Sequence, residues 1–143
     1  MIRLEDVHPG NWRLGLRVAP AQRRYVADSA GLLARAYAYR AFRSRAFVIY
    51  QDETPVGMGL YYDLPESNGY DFSQFFIDER YQGQGYGRAA AALVLDALRR
   101  DGAYSRVMLC YIEGNAAARR LYESLGFVEC GRDGDEIEME LRL

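Results

Sequence analysis

The chain contains no lysine; all eighteen of its basic residues are arginine. That absence removes the Gly-Lys-Ser/Thr end of a phosphate-binding loop and any Schiff-base mechanism. One histidine is present, His8, in the turn-like run His8-Pro9-Gly10-Asn11. A serine or cysteine triad would have to be built on that single residue, whereas a solvent-facing turn histidine needs nothing further. The two cysteines, Cys110 and Cys130, supply neither a disulfide framework nor four metal ligands. They are expected as buried small hydrophobes, and no metal site is expected. No apolar run approaches the roughly 18–20 residues of a membrane helix. Met1 to Asp6 carry charges where a signal peptide would be apolar. The expectation is a cytoplasmic protein with no membrane partner.

What is there suits one globular domain over residues 1–143: half of the 143 residues are hydrophobic and 13% aromatic, enough to bury a core. Net charge is only −2, but it is unevenly spread. Residues 1–45 carry nine arginines against Glu5, Asp6 and Asp28. Residues 46–79 carry seven acids and no arginine. A nucleic-acid binder is more often basic overall, so no nucleic-acid partner is expected. The acidic middle segment suits either solvated hairpin loops or attraction of a cationic small molecule.

Periodicity and punctuation predict a mixed α/β chain. Ile2–Val7 reads as a strand, and Arg13–Leu16 and Ala21–Arg40 as helices, with Pro20 placed to start the second. Phe47–Tyr50 and Val56–Tyr62 read as strands joined by a turn at Asp52–Pro55. Leu64–Tyr70, with its Pro, Ser, Asn and Gly, reads as a loop. A strand over Asp71–Ile77 follows, then a helix from about Gly87 to Arg100. Arg106–Ile112 is strand-like, and Ala116–Leu125 is a helix that Gly126 stops. Phe127–Gly131 and Glu136–Leu143 form a strand pair around Asp133-Gly134. In the last strand Ile137, Met139, Leu141 and Leu143 alternate with charged residues, marking one buried face.

The most informative segment is the glycine-rich turn Gln82-Gly83-Gln84-Gly85-Tyr86-Gly87-Arg88, between a strand and an amphipathic helix. Glycine admits positive φ and close backbone approach, and a helix start offers free N–H groups at its positive end. Together these form an anion site, most naturally for phosphate. The dinucleotide fingerprint fails, because Arg88 stands where its third glycine belongs.

The pattern Gln82-x-x-Gly85-x-Gly87, after an apolar strand and Tyr81, resembles the acetyl-coenzyme A loop of the Gcn5-related N-acetyltransferases. A second run, Asn115-x-x-Ala118-x-x-Leu121-Tyr122-x-x-x-Gly126-Phe127, is similar to the later coenzyme-A-binding helix of that superfamily. The resemblance spans nearly the whole chain. Its text is closest to bacterial diamine and polyamine acetyltransferases, which share Tyr-Gln-Gly-x-Gly-Tyr-Gly and Leu-Tyr-Glu-Ser-Leu-Gly-Phe. The resemblance implies a single-domain acyl-CoA N-acyltransferase fold, with a mixed, mostly antiparallel central sheet of about six to seven strands flanked by helices.

It also implies site residues. The backbone of Gln82, Gly83, Gln84, Gly85, Tyr86, Gly87 and Arg88 would hold the pyrophosphate of acetyl-coenzyme A, with the Arg88 side chain either adding a phosphate contact or lying exposed. Phe76, Ile77 and Asp78 would pair with the pantetheine arm between two strands that separate. Asn115 would cap its helix or bind the coenzyme, and Ala118 would share its inner face with Tyr122. Tyr122 is the expected general acid to the thiolate leaving group. For the base, Asp78, Glu79 and Glu113 are candidates beside ordered water, and Asp78 and Glu79 border the expected acceptor cleft. A cationic amine, a polyamine or diamine first, is the expected acceptor. The alternatives are an aminoglycoside, an amino acid or a protein N-terminus as acceptor, or a non-catalytic acyl-coenzyme A sensor. Homodimer formation, common in the family, is expected.

Overall fold

A computed structural model describes residues 1–143. Seven strands form one sheet: β1 (Ile2–Asp6), β2 (Arg45–Gln51), β3 (Thr54–Leu64), β4 (Gly69–Ile77), β5 (Arg106–Ile112), β6 (Val128–Asp133) and β7 (Glu136–Arg142). Their order is β1-β2-β3-β4-β5-β7-β6. Three helices cover it: α1 (Ser29–Ala38), α2 (Tyr86–Asp101) and α3 (Ala116–Ser124). Every pairing is antiparallel except β4–β5, where α2 supplies the crossover that a parallel pair requires. This is the mixed, mostly antiparallel sheet with flanking helices that the sequence led us to expect.

The parallel pair is short, and that positions the site. Its register runs only through Gly69–Arg106, Tyr70–Val107 and Asp71–Met108. Beyond Asp71 the two strands part. A bulge helps: Leu60 pairs with Gln74 but Tyr61 with Phe72, so Ser73 is the extra residue on β4.

Helix α2 buries Ala90, Ala91, Val94, Leu95 and Leu98, a stripe at helical spacing packed on one sheet face with Phe72, Val107 and Leu109. On the other face, Leu32 of α1 and the extended residues Leu16 and Val18 cover Val48, Met58, Leu60, Tyr62 and Phe76. The alternation in β7 holds: Ile137 and Met139 are buried while Glu136 and Arg142 are exposed. Each buried side chain of this size contributes about 1.5–3 kcal/mol.

Several expectations need correction. No helix forms over Arg13–Leu16, because Gly15 takes φ 71° and the chain then runs extended, which lets Leu16 and Val18 reach the core. The long helix over Ala21–Arg40 is a short 3-10 turn at Pro20–Gln22 followed by α1 alone. Asp28 explains the late start: its carboxylate accepts the Gly31 N–H at 2.7 Å, an N-cap signal inside the periodic run. The loop at Leu64–Tyr70 is shorter than expected, since β3 runs to Leu64 and β4 begins at Gly69. Cys110 and Cys130 are exposed rather than buried. Cys110 alternates with the buried Leu109 and so takes the opposite face of its strand. No helix is long and apolar enough to cross a membrane.

Candidate active site

Two cavities meet where β4 and β5 separate. One, about 390 Å³, runs past the ends of these strands to the glycine turn. The other, about 340 Å³, opens between Ser73–Phe75 of β4 and Cys110–Ile112 of β5. Val26, Phe75, Asn115, Ala118 and Tyr122 line both, so this set forms the junction.

The first cavity collects most of the residues expected at the donor. Phe76, Ile77, Gln82, Gly83, Gly85, Tyr86, Gly87, Arg88, Asn115, Ala118 and Tyr122 line it. Gln84 does not; its side chain accepts the Tyr86 hydroxyl at 3.0 Å on the outside of the turn. Gly83 (φ 78°) and Gly85 (φ 83°) adopt the left-handed conformation that bends the chain into α2. No acid occupies the first turn of α2, which leaves its N–H groups and positive dipole end open to an anion. The Gln82 amide donates to the Ile77 carbonyl at 2.9 Å and to Gln22 at 2.8 Å, tying the end of β4 to the turn. Arg88 lines the cavity, but its guanidinium donates to the Ser124 hydroxyl and carbonyl at the end of α3.

Tyr122 lies at the junction because α3 turns its apolar face to the sheet. It is only 8% exposed, with its ring edge-on to Phe72 and Phe127. Burial alone pushes the phenol pKa well above its ordinary value, so Tyr122 stays a neutral phenol. Asn115 caps α3, its side chain accepting the Ala118 N–H at 3.2 Å while facing both cavities.

The expected acids lie elsewhere. Asp78 is 1% exposed and lines neither cavity. Its carboxylate accepts the backbone N–H of Arg17 (2.9 Å) and of Arg80 (3.0 Å) and pairs with the Arg80 guanidinium (2.8 Å). Burial pushes its pKa up, but the Arg80 side chain and these two N–H groups outweigh that and hold it low. Such a carboxylate is a poor proton acceptor and serves as a latch under the turn. Glu79 pairs with Arg17 at 3.6 Å, outside both cavities. Glu113 is bound at 2.8 and 3.0 Å by Arg132 in an outer groove beside α3, and that partner lowers its pKa.

The acids that do reach the second cavity are Asp71 and Glu136, and the sequence reading singled out neither for the site. Burial raises the Asp71 pKa, the Tyr62 hydroxyl and Arg35 pull it back, and Glu136 adds to the rise. The signal was a lone carboxylate between Tyr70 and Phe72 in an aromatic strand. Around these acids stand Tyr25, Tyr39, Tyr62 and Tyr111. Their rings suit a cationic guest. Cys110 is exposed as a residue, but desolvation of its thiol against the cavity wall is the first cause of its pKa rising to about 11, so it stays protonated beside them.

A sheet splayed between β4 and β5, with a glycine turn opening a helix at one end of the splay, defines the acyl-CoA N-acyltransferase class of α/β fold. Residues 16–127 match the acetyltransferase (GNAT) family, and the chain belongs to it. Over 85 residues it is 35% identical to a spermine/spermidine N(1)-acetyltransferase of Bacillus subtilis; the match spans 55% of this chain and 56% of that relative. The chain thus matches about half the length of that relative. The spermidine N-acetyltransferase of Vibrio cholerae, solved with CoA and spermine, superposes with a TM-score of 0.79 at 20% identity, covering 99% of this chain and 95% of that one. The ribosomal-protein-S18-alanine N-acetyltransferase of Escherichia coli superposes with a TM-score of 0.74 at 22% identity, covering 99% and 94%. At such identities the likeness is one of fold.

Proposed function

We propose that this protein is an acetyl-coenzyme A-dependent N-acetyltransferase that acts on a small cationic primary amine, a polyamine or diamine first. The observation that carries the reading is the junction itself: Tyr122 and Asn115 face both a cavity ending at an anion-ready helix start and a cavity lined by Asp71 and Glu136. The donor supplies a thioester whose carbonyl carbon the amine attacks.

The protein's own groups handle the protons. An alkylammonium has a pKa of about 10.4, so at pH 7 only about one molecule in 2,500 is free amine. Asp71 accepts the proton that the attacking nitrogen loses. Tyr122 gives its proton to the sulfur as the carbon–nitrogen bond forms and the carbon–sulfur bond breaks, and its phenolate takes up the second proton that the acylated nitrogen sheds, which leaves a neutral amide, a free thiol and a restored phenol. The Gly83–Gly87 backbone and the start of α2 hold the pyrophosphate. Glu136 receives a second cationic group of the acceptor, and the tyrosine rings flank the chain between them. No covalent enzyme intermediate is involved, consistent with the protonated Cys110.

Relatives named for spermine and spermidine support the acceptor class, as does the carboxylate pair in the second cavity. Exposed free cysteines support a reducing, cytoplasmic setting. The edge strand β6, with Val128 60% exposed, supports pairing with a second copy. Thiol release from acetyl-coenzyme A, measured across polyamines, diamines, aminoglycosides, amino acids and N-terminal peptides, tests the reading. Preferential turnover of polyamines is expected; turnover confined to peptides or aminoglycosides would overturn the acceptor class. Donor binding without turnover of any amine would favour a sensor.

A further inference from the structure

The walls of the second cavity converge on Asp71. Tyr62 of β3 is its Cα partner across the β3–β4 pairing. Directly opposed residues send their side chains to one face of a sheet. Ser73, two residues along β4, accepts a hydrogen bond from the Arg35 guanidinium of α1 at 3.3 Å. Tyr39 stacks on Tyr62, ring centroids 4.0 Å apart and planes 12° from parallel, which fixes the Tyr62 ring. All five side chains line the acceptor cavity.

We propose that Tyr62 and Arg35 are positioning residues for Asp71: a phenol from β3 and a guanidinium from α1 flank its carboxylate, oppose its protonation and keep it turned into the acceptor cavity. This rests on the reading of Asp71 as the proton acceptor. Burial and Glu136 on β7 both push Asp71 toward its protonated form, which has no room for another proton. Cys110 of β5 and Tyr122 of α3 face the same space as neutral groups and do not alter that balance. Tyr62 is itself kept protonated, chiefly by burial, so its hydroxyl is a donor at any physiological pH. Arg35 acts twice. Its charge favours the Asp71 anion, which leaves that carboxylate free to take a proton, and disfavours an ammonium beside it, which eases the loss of that proton.

The test compares the wild type with Tyr62→Phe, Arg35→Gln and Glu136→Gln. Two readouts are taken: the pH profile of kcat/KM for one amine, and the 13C NMR titration of the Asp71 carboxyl carbon, assigned with Asp71→Asn. Tyr62→Phe keeps the stacked ring and Arg35 is exposed, so neither change should endanger the fold. In both variants the acidic limb and the carboxyl titration should move to higher pH by about half a unit or more; in Glu136→Gln both should move to lower pH. Coincident titrations, or displacement of all three variants in one direction, would overturn the proposal and leave the acetyltransferase reading standing. Carboxyl titrations that move as expected in a protein that turns over no amine would uphold the positioning roles and sink the catalytic reading instead.

Discussion

Tyr122 and Asp71 line one cavity from α3 and β4, and burial raises the pKa of both. The chemical consequences differ. A phenol pushed up remains a proton donor, while a carboxylate pushed part of the way up becomes a better proton acceptor at neutral pH.

Removing the donor hydroxyl tests the first half of that pair. Tyr122→Phe keeps the ring that packs edge-on against Phe72 and Phe127, so the fold and the donor cavity should persist. We expect kcat to fall by about 10²-fold or more, within the usual range for a positioned acid. Acetyl-coenzyme A affinity, read by calorimetry, should change less than about threefold. An unchanged kcat would remove Tyr122 from the chemistry.

The glycine turn and the α3 signature were legible because each is local: Gln82 to Gly87 and Asn115 to Phe127 are single turns and caps whose chemistry sits in adjacent residues. The order of the strands, and of the helices from α1 onward, was legible for the same reason. Asp71 was not. Its altered acidity comes first from burial and then from Tyr62, Arg35 and Glu136, which reach it from β3, α1 and β7. Asp78 misled in the opposite way: its place next to the cleft in sequence suggested a base, but its side chain folds back under the turn to the N–H groups of Arg17 and Arg80. Sequence proximity to a site says little about which way a strand-end side chain points.

The latch role of Asp78 gives a stability prediction. Asp78→Ala strips a buried acceptor from two backbone N–H groups and the Arg80 guanidinium, and should cost about 1–3 kcal/mol in urea denaturation at pH 7. The sign of its pH dependence follows from the lowered pKa. The wild-type advantage is present above the unfolded carboxylate value near 3.9 and is lost as pH falls through the lower folded value. Activity per folded molecule should survive. A 10²-fold loss of kcat at unchanged stability would return Asp78 to the list of bases.

Glu136 is exposed at the start of β7 and faces the cavity beside Asp71, where a second cation of the acceptor would lie. Glu136→Gln should raise KM for a diamine about fivefold, the equivalent of roughly 1 kcal/mol for an exposed charge pair. KM for a monoamine of the same length should stay nearly constant. Equal effects on the two substrates would mean that Glu136 has no part in reading the distal charge.

Asp71→Asn should separate activity from stability. A carboxylate whose folded pKa is raised binds its proton more tightly in the native than in the unfolded chain. Between the unfolded value near 3.9 and the folded value, ionisation therefore costs stability as pH rises, and above both the cost is complete. The neutral amide escapes it. At pH 7 and above, Asp71→Asn should melt at a higher temperature than the wild type, and the difference should shrink as pH falls toward 4. Over the same range kcat/KM should drop about 10²-fold, with the acidic limb of the profile lost. A variant that keeps its activity would dismiss Asp71 as the base. One that loses both activity and stability would mean that the carboxylate holds the cavity together, a role the opposed Tyr62 hydroxyl would then share.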